Sequence, residues 1–304
     1  MSTLCACDYT LSNSGTGKCP SIAKGTRLLI GMNLYKKDGS KNSIPLATLQ
    51  DKALMQALIE DAIRENRIYP LPKMVNVENL RADAVTQEFN DGSLAFIRKG
   101  IKSFTGYFKQ VGYRYSGSLD ENRNVEHGYI AVDEDGNFIF KYESSDPNNA
   151  YPIDIDRESY HVDLLEHVTG SEIQLSKIMF NWSVDVKDGD LRVVKKPASY
   201  NPLTELKGLL DTVAVFTGIS TTTVTATLTD VNDCPISGLV QADFSIAEIS
   251  PVPGAVSISS VTESADGVYD IVFVAETSGD ELALTIDQTG YDSANITANT
   301  FLIP

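Results

Sequence analysis

The sequence predicts a mainly β chain in two parts, an N-terminal β-sandwich or partial barrel with one helix, followed by a second, smaller β-sandwich. Three observations carry this. The 304 residues are 42% hydrophobic and 8% aromatic, inside the globular range and enough for two domains that each bury a core. Short runs of alternating apolar and polar residues, bounded by Gly, Pro, Asn and Asp, recur along most of the chain, the period of half-buried strands. Near Lys195 to Leu209 basic residues almost stop, Pro197 and Pro202 interrupt the pattern, and Thr, Val, Ser and Ala begin to dominate. The expected organisation is an arm over 1–24, a β domain over 25–195, a linker over 196–211 and a second β domain over 212–304.

The arm is rich in Ser, Thr, Gly and Cys and reads as irregular. A strand is expected at Arg27 to Tyr35, then a turn on Lys37-Asp-Gly-Ser-Lys41. Asp51 to Asn66 is the one helix expected, with Leu54, Leu58, Ala62 and either Ile59 or Ile63 on its apolar face and Asp51 as its cap. Pro70 and Pro72 keep the following segment extended. Strands are then expected at Met74 to Val77, Ala84 to Phe89, Ser93 to Ile97, Gly106 to Gly112, His127 to Val132, Phe138 to Tyr142, Ser159 to Leu164, Glu172 to Phe180, Ser183 to Val186 and Leu191 to Val194. Val132-Asp-Glu-Asp-Gly-Asn-Phe138 and Val186-Lys-Asp-Gly-Asp-Leu191 read as hairpins. Asn122 to Val125, Ser144 to Ala150 and Pro152 to Arg157 read as loops.

Beyond the linker seven runs follow at near-regular spacing: Val213 to Phe216, Thr222 to Leu228, Asp243 to Ile249, Ala255 to Val261, Tyr269 to Val274, Leu282 to Ile286 and Asn295 to Leu302. That spacing is the pattern of an antiparallel sandwich. In Asp266-Gly-Val-Tyr-Asp-Ile-Val-Phe273 a tyrosine stands between a turn and a strand, where immunoglobulin-like folds place a tyrosine whose hydroxyl ties back to the backbone. The region resembles bacterial immunoglobulin-like modules of the invasin type, so the fold class is an N-terminal β-sandwich or partial barrel followed by an Ig-like β-sandwich. It departs from antibody domains in lacking paired cysteines and a core Trp, since Cys234 is alone there and Trp182 lies outside.

Net charge is −16, and it is unevenly spread. From Thr204 onward fourteen acids face one base, Lys207, a balance of −13, while the rest of the chain carries 27 acids and 24 bases. Such a surface repels nucleic acid and anionic membrane, which argues against a sequence-specific nucleic-acid binder. No stretch approaches the roughly 18 apolar residues of a membrane helix, and Met1 to Lys18 lacks a basic start followed by an apolar run, so the expectation is a soluble protein kept in the cell that makes it.

Chemistry at neutral pH usually needs a base with a nucleophile or metal, and the histidines are His127, His161 and His167, with no ligand spacing. No nucleophile elbow, phosphate loop or dinucleotide fingerprint is present. Asp133-Glu-Asp-Gly-Asn137 alternates acids like a calcium loop but is followed by Phe138-Ile-Phe140 where further oxygen ligands are needed, and reads as a turn. Asp154 and Asp156 share one side of an extended chain and read as surface acids. Cys5, Cys7 and Cys19 offer three thiolates, one short of a closed zinc site, and read as free thiols of an arm that packs on its own body or a neighbour. No catalytic, cofactor-binding or metal-binding residue is assigned, and the chain is expected not to be an enzyme.

Cys5-Ala-Cys-Asp-Tyr-Thr-Leu-Ser-Asn-Ser-Gly-Thr-Gly-Lys-Cys19, Tyr35-Lys-Lys-Asp-Gly-Ser-Lys-Asn-Ser-Ile44 and Ala84-Val-Thr-Gln-Glu-Phe-Asn-Asp-Gly92 running into Ser93-Leu-Ala-Phe-Ile97 resemble segments of the major tail tube proteins of long-tailed phages. That resemblance implies copies closing into rings of six, rings stacking into a tube, DNA passing through without sequence-specific contact, contacts with other tail proteins, and a place in the virion tail after assembly in the host cytoplasm. It makes the body line the channel and turns the acidic module outward, with the arm 1–24 and the loop 36–45 as candidate contacts between rings. A capsid decoration or head-fibre protein, and a carbohydrate-binding surface adhesin, are the alternatives.

Overall fold

The computed structural model describes residues 24–304 except 62, 110, 164–174, 289, 293–295 and 297–298. Contacts group the chain into two units, Met1–Leu206 and Lys207–Pro304.

Unit one holds strands β1 Thr26–Asn33, β2 Ile44–Pro45, β3 Ile68–Pro70, β4 Met74–Arg81, β5 Val85–Glu88, β6 Leu94–Arg98, β7 Lys102–Lys109, β8 His127–Asp133, β9 Phe138–Glu143, β10 Asp146–Tyr151, β11 Ile153–Asp163, β12 Leu175–Trp182 and β13 Leu191–Val194. Eleven of them form one antiparallel sheet along β2-β10-β9-β8-β11-β12-β7-β4, with β1 on β8, β3 on β1 and β13 on β9. β8 is the hinge of this sheet: it pairs with β1 over its length on one side, and on the other with β9 at Ala131 and Val132, then with β11 at Gly128 and Tyr129. All seven of its residues are buried. Sharing one strand between two partners curls the sheet round a core in which Phe104 stacks on Phe180 at 4.9 Å, Tyr129 stacks on Phe180 at 5.1 Å, and Trp182 meets Phe180 edge-on at 4.9 Å.

Helix α1, Lys52–Ile59, is shorter than the 51–66 expected, and 3-10 turns flank it at Thr48–Gln50 and Arg64–Asn66. Asp51 caps it, its carboxylate accepting from the Ala53 and Leu54 amides at 2.8 and 3.3 Å. The buried face is Met55, Gln56 and Ile59, while Leu54 is half exposed; the apolar stripe read from the sequence is thus rotated by about one residue, because with the helix ending at Ile59 position 63 no longer belongs to its face, and Ala62 lies outside the described residues. A second helix, α2 Tyr113–Glu121, was not expected. It closes one end of the core through Leu119, through the Ser116 and Ser176 hydroxyls at 2.8 Å, and through the Tyr160 hydroxyl, which donates to the Leu119 carbonyl at 2.9 Å.

Four further expectations are corrected. Ser144 to Ala150 and Pro152 to Arg157 are largely strand, β10 and the start of β11, because polar residues there sit on ladders whose other face is buried by Ala150, Tyr151, Ile153 and Ile155. Ser183 to Val186 is a turn. Val186 to Leu191 joins β12 to β13 without pairing them: β12 pairs with β11 and β7, and β13 with β9. Within the expected linker, α3 Pro202–Glu205 is capped by Asn201, and buried Tyr200 donates its hydroxyl to the Leu49 carbonyl at 2.9 Å.

Unit two holds β14 Thr212–Thr217, β15 Thr223–Asp230, β16 Phe244–Ser250, β17 Gly254–Val256, β18 Ile258–Ala265, β19 Val268–Phe273, β20 Glu281–Ile286 and β21 Thr300–Leu302. They form two four-stranded antiparallel sheets, β14-β15-β19-β18 and β17-β16-β20-β21, an Ig-like β-sandwich. The run Ala255 to Val261 splits between β17 in one sheet and β18 in the other, giving eight strands where seven runs were read. Alternate residues of both sheets, among them Val224, Ala226, Leu228, Ile246, Ile271, Leu282 and Leu284, meet in the core. Tyr269 is fully buried; its hydroxyl donates to the Ile236 carbonyl at 2.9 Å and accepts from the Leu239 amide at 3.2 Å. The tie runs to the segment between β15 and β16, and its strand lies beside β15 in the first sheet. Gly267 turns the chain ahead of it at φ +71, where an added Cβ would stand 2.7 Å from the Leu228 carbonyl oxygen.

Candidate assembly surface

The chain leaves the large sheet along β4 and returns along β7. Their pairing runs out from Met74 opposite Phe108 to Arg81 opposite Lys102, and the Ala82 amide adds one more bond to the Ile101 carbonyl at 2.9 Å. Beyond that point β5 and β6 pair, among the described residues, only with each other, Thr86 opposite Phe96 and Glu88 opposite Leu94. An isolated two-stranded hairpin is marginal in water unless a face is covered. Here Leu94 is 68% exposed, Phe96 62%, Ile97 56% and Phe89 47%, with Leu80 at the root 60% exposed. Leu94 and Phe96, two apart on β6, share one face, and large apolar side chains exposed together on one hairpin mark an interaction site more often than scattered single residues do.

The tip of the hairpin has a fixed shape. Phe89 donates its amide to the Ser93 carbonyl at 2.8 Å, and the Gly92 amide, at φ +80, donates to the Phe89 carbonyl at 2.9 Å. The Asp91 carboxylate accepts from the Ser93 hydroxyl at 2.6 Å and the Ser93 amide at 2.9 Å; these two bonds, the hydroxyl's first, hold its pKa below the ordinary value.

At the root lies an ionic cluster. Arg81 donates from one guanidinium nitrogen to both oxygens of Asp188 at 2.8 Å, and the Lys102 ammonium donates to the same carboxylate at 2.6 Å and to the Val186 carbonyl at 3.3 Å. The hydrogen bond from Lys102, then that from Arg81, pulls Asp188 down to about 2. Arg81, Lys102 and Asp188 also line an open cleft of about 250 Å³ whose apolar wall includes Leu80, Ala131, Ile153, Trp182 and Leu191. The Trp182 indole is fixed by donating to the Asn79 side-chain oxygen at 3.2 Å.

The residues weighed from the sequence fall elsewhere. Asp133 to Asn137 is the turn between β8 and β9: the buried Asp133 carboxylate accepts from the Asp135 and Asn137 amides at 3.0 and 2.9 Å and from the Asn137 side-chain amide at 2.9 Å. Asp154 pairs with Lys141 at 2.7 Å, and Asp156 accepts the Glu158 amide at 3.2 Å, so the two acids serve separate local bonds. His127 is buried against Tyr129 and Tyr160 with ring centroids at 5.3 and 5.0 Å, and burial lowers its pKa. His161 is exposed, 2.7 Å from Asp163 and 3.1 Å from Arg123. His167 and the cysteines 5, 7 and 19 lie outside the described residues, as does the arm to residue 23; Cys234 is exposed. The loop 36–45 is closed by the Lys36 amide bonding to the Ser40 carbonyl at 2.8 Å and by β2 pairing with β10. Among the described residues no three His, Cys, Asp or Glu gather as a metal site, and no helix is long and apolar enough to cross a membrane.

The hairpin strands were legible as strands. Their exposure was not, since alternation reads the same on a covered and an uncovered ladder. The Arg81–Asp188–Lys102 cluster joins residues 107 and 86 positions apart and leaves no local signal.

No protein-family model matches the chain, and no curated protein matches it. The chain has a likeness to a solved structure of FdeC, described as a broadly conserved Escherichia coli adhesin, at 14% identity over 79% of this chain and 69% of that one, with a TM-score of 0.22, too low to carry an argument.

Proposed function

We propose that this chain is a self-assembling structural subunit, a virion protein of the phage tail tube kind whose copies close into rings that stack round a channel for DNA, with the acidic Ig-like unit facing outward and no catalytic role. The observation that carries the reading is the uncovered apolar hairpin β5–β6. Fully burying such a side chain contributes about 1.5–3 kcal/mol, and since Phe89, Leu94, Phe96 and Ile97 are 47–68% exposed, covering each contributes roughly half of that, together a strong drive to associate. β4, which supplies the hairpin's root, ends the path of the large sheet, and its outer edge is open among the described residues, available to a neighbour's strand. The body's near balance of acids and bases, 27 against 24, suits a channel wall that neither grips nor strongly repels phosphates.

Negative-stain electron microscopy of the purified protein over a range of concentrations tests this. Stacked rings with a central channel wide enough for duplex DNA are expected. Monomers or small closed oligomers at every concentration would overturn it and favour a capsid decoration or head-fibre role.

A further inference from the structure

We infer that the tip of the β5–β6 hairpin docks into the Trp182 cleft at the hairpin root of a second copy, a head-to-tail joint; the inference rests on the self-assembly reading and names its contact surfaces. Four observations meet in it. First, the tip presents an ordered apolar knob, Phe89, on a turn whose hydrogen bonds fix its shape, so little entropy is lost on docking. Second, the root offers a receptor: the cleft of about 250 Å³ is larger than the roughly 150 Å³ cavity known to take a benzene ring, and Leu80, Ile139, Ile153, Trp182 and Leu191 give it apolar lining beside the charged Arg81, Lys102 and Asp188.

Third, the charges match. From Val85 to Ile97 the hairpin carries Glu88 and Asp91 and no base. The cleft is lined by Arg81 and Lys102 against Asp188, an excess of one positive charge. Tip against tip would set acid against acid, whereas tip against root sets acid beside base and steers the encounter. Fourth, exposed Leu80 lines the cleft next to Arg81, placed to be covered by an arriving aromatic ring. Knob and cleft are separate surfaces of one copy, so each joint leaves a free knob at one end and a free cleft at the other, the heterologous geometry that closes into rings or runs on as filaments.

The test uses two full-length variants, Phe89→Ser at the tip and Leu80→Glu at the root, both at exposed positions, with circular dichroism and Trp182 emission to show that each stays folded. Each variant should raise the concentration needed for assembly by about thirtyfold or more, the effect of removing an interface hot spot. Mixed together, they should form a one-to-one dimer in sedimentation velocity that grows no further, because the only joint left is the intact tip of one in the intact cleft of the other. Wild-type-like assembly of Phe89→Ser, or no dimer in the mixture, would overturn the joint while leaving self-assembly standing. A wild type that stops at a closed dimer would overturn the head-to-tail geometry, and one that stays monomeric would overturn the self-assembly reading and this inference together.

Discussion

Replacing Tyr269 by Phe removes one oxygen from the Ig-like unit and nothing else. That oxygen is buried and makes two bonds to the backbone, donating to the Ile236 carbonyl at 2.9 Å and accepting from the Leu239 amide at 3.2 Å. Each such bond contributes about 1 kcal/mol net, and a buried partner left unmatched costs about 1–3 kcal/mol, so a loss of about 2–3 kcal/mol is expected. For a unit of this size that lowers the melting temperature by about 10–20 °C, at roughly 4–8 °C per kcal/mol. The single Trp of the chain, Trp182, lies in unit one, so its emission follows that unit while circular dichroism follows both. Tyr269→Phe should move a dichroism transition downward and leave the Trp182 transition in place. A shift below about 0.5 kcal/mol, the scatter of an ordinary surface substitution, would refute the claim that this hydroxyl pins the 236–239 segment.

Two more outcomes follow from buried polar groups in unit one. Asp133→Asn should destabilise it by about 2–3 kcal/mol in urea unfolding followed by Trp182, because an Asn that keeps its oxygen where Oδ1 accepts the Asp135 and Asn137 backbone amides sets its NH2 group against the Asn137 side-chain amide that Oδ2 accepts. Burial holds His127 neutral below its ordinary value, so the unfolded chain takes up its proton first as pH falls. Stability of unit one should therefore drop as pH goes from about 7 to about 5, and the drop should be smaller in His127→Gln; equal slopes in the two proteins would remove the idea.

What the sequence made legible was local. Asp51 as a cap, the Val132 to Phe138 hairpin and the Tyr269 tie each depend on residues within one turn or on a strand-and-turn pattern, and each is found. Helix α2 was hidden because Tyr-Arg-Tyr-Ser-Gly-Ser-Leu-Asp-Glu offers one aliphatic residue and a Gly, and its buried face is made partly by Ser116, whose partner Ser176 is 60 positions away. β10 was hidden for a similar reason, since Asp146-Pro-Asn-Asn reads as turn chemistry until a neighbouring strand gives it a ladder. The candidate assembly surface was half legible, as two strands and a turn; that among the described residues no other strand pairs with them is a property of the whole sheet and appears in no window of sequence.

The uneven charge has a consequence for handling the protein. Lys207 is exposed and stands at the start of the second unit, and beyond it there is neither lysine nor arginine. Trypsin therefore has no site within 208–304, however loosened that unit becomes, while unit one carries many. A limited digest should pass through one cut after Lys207 to a stable C-terminal fragment that contains the whole Ig-like sandwich, so the two units can be parted by an enzyme and without redesigning the chain.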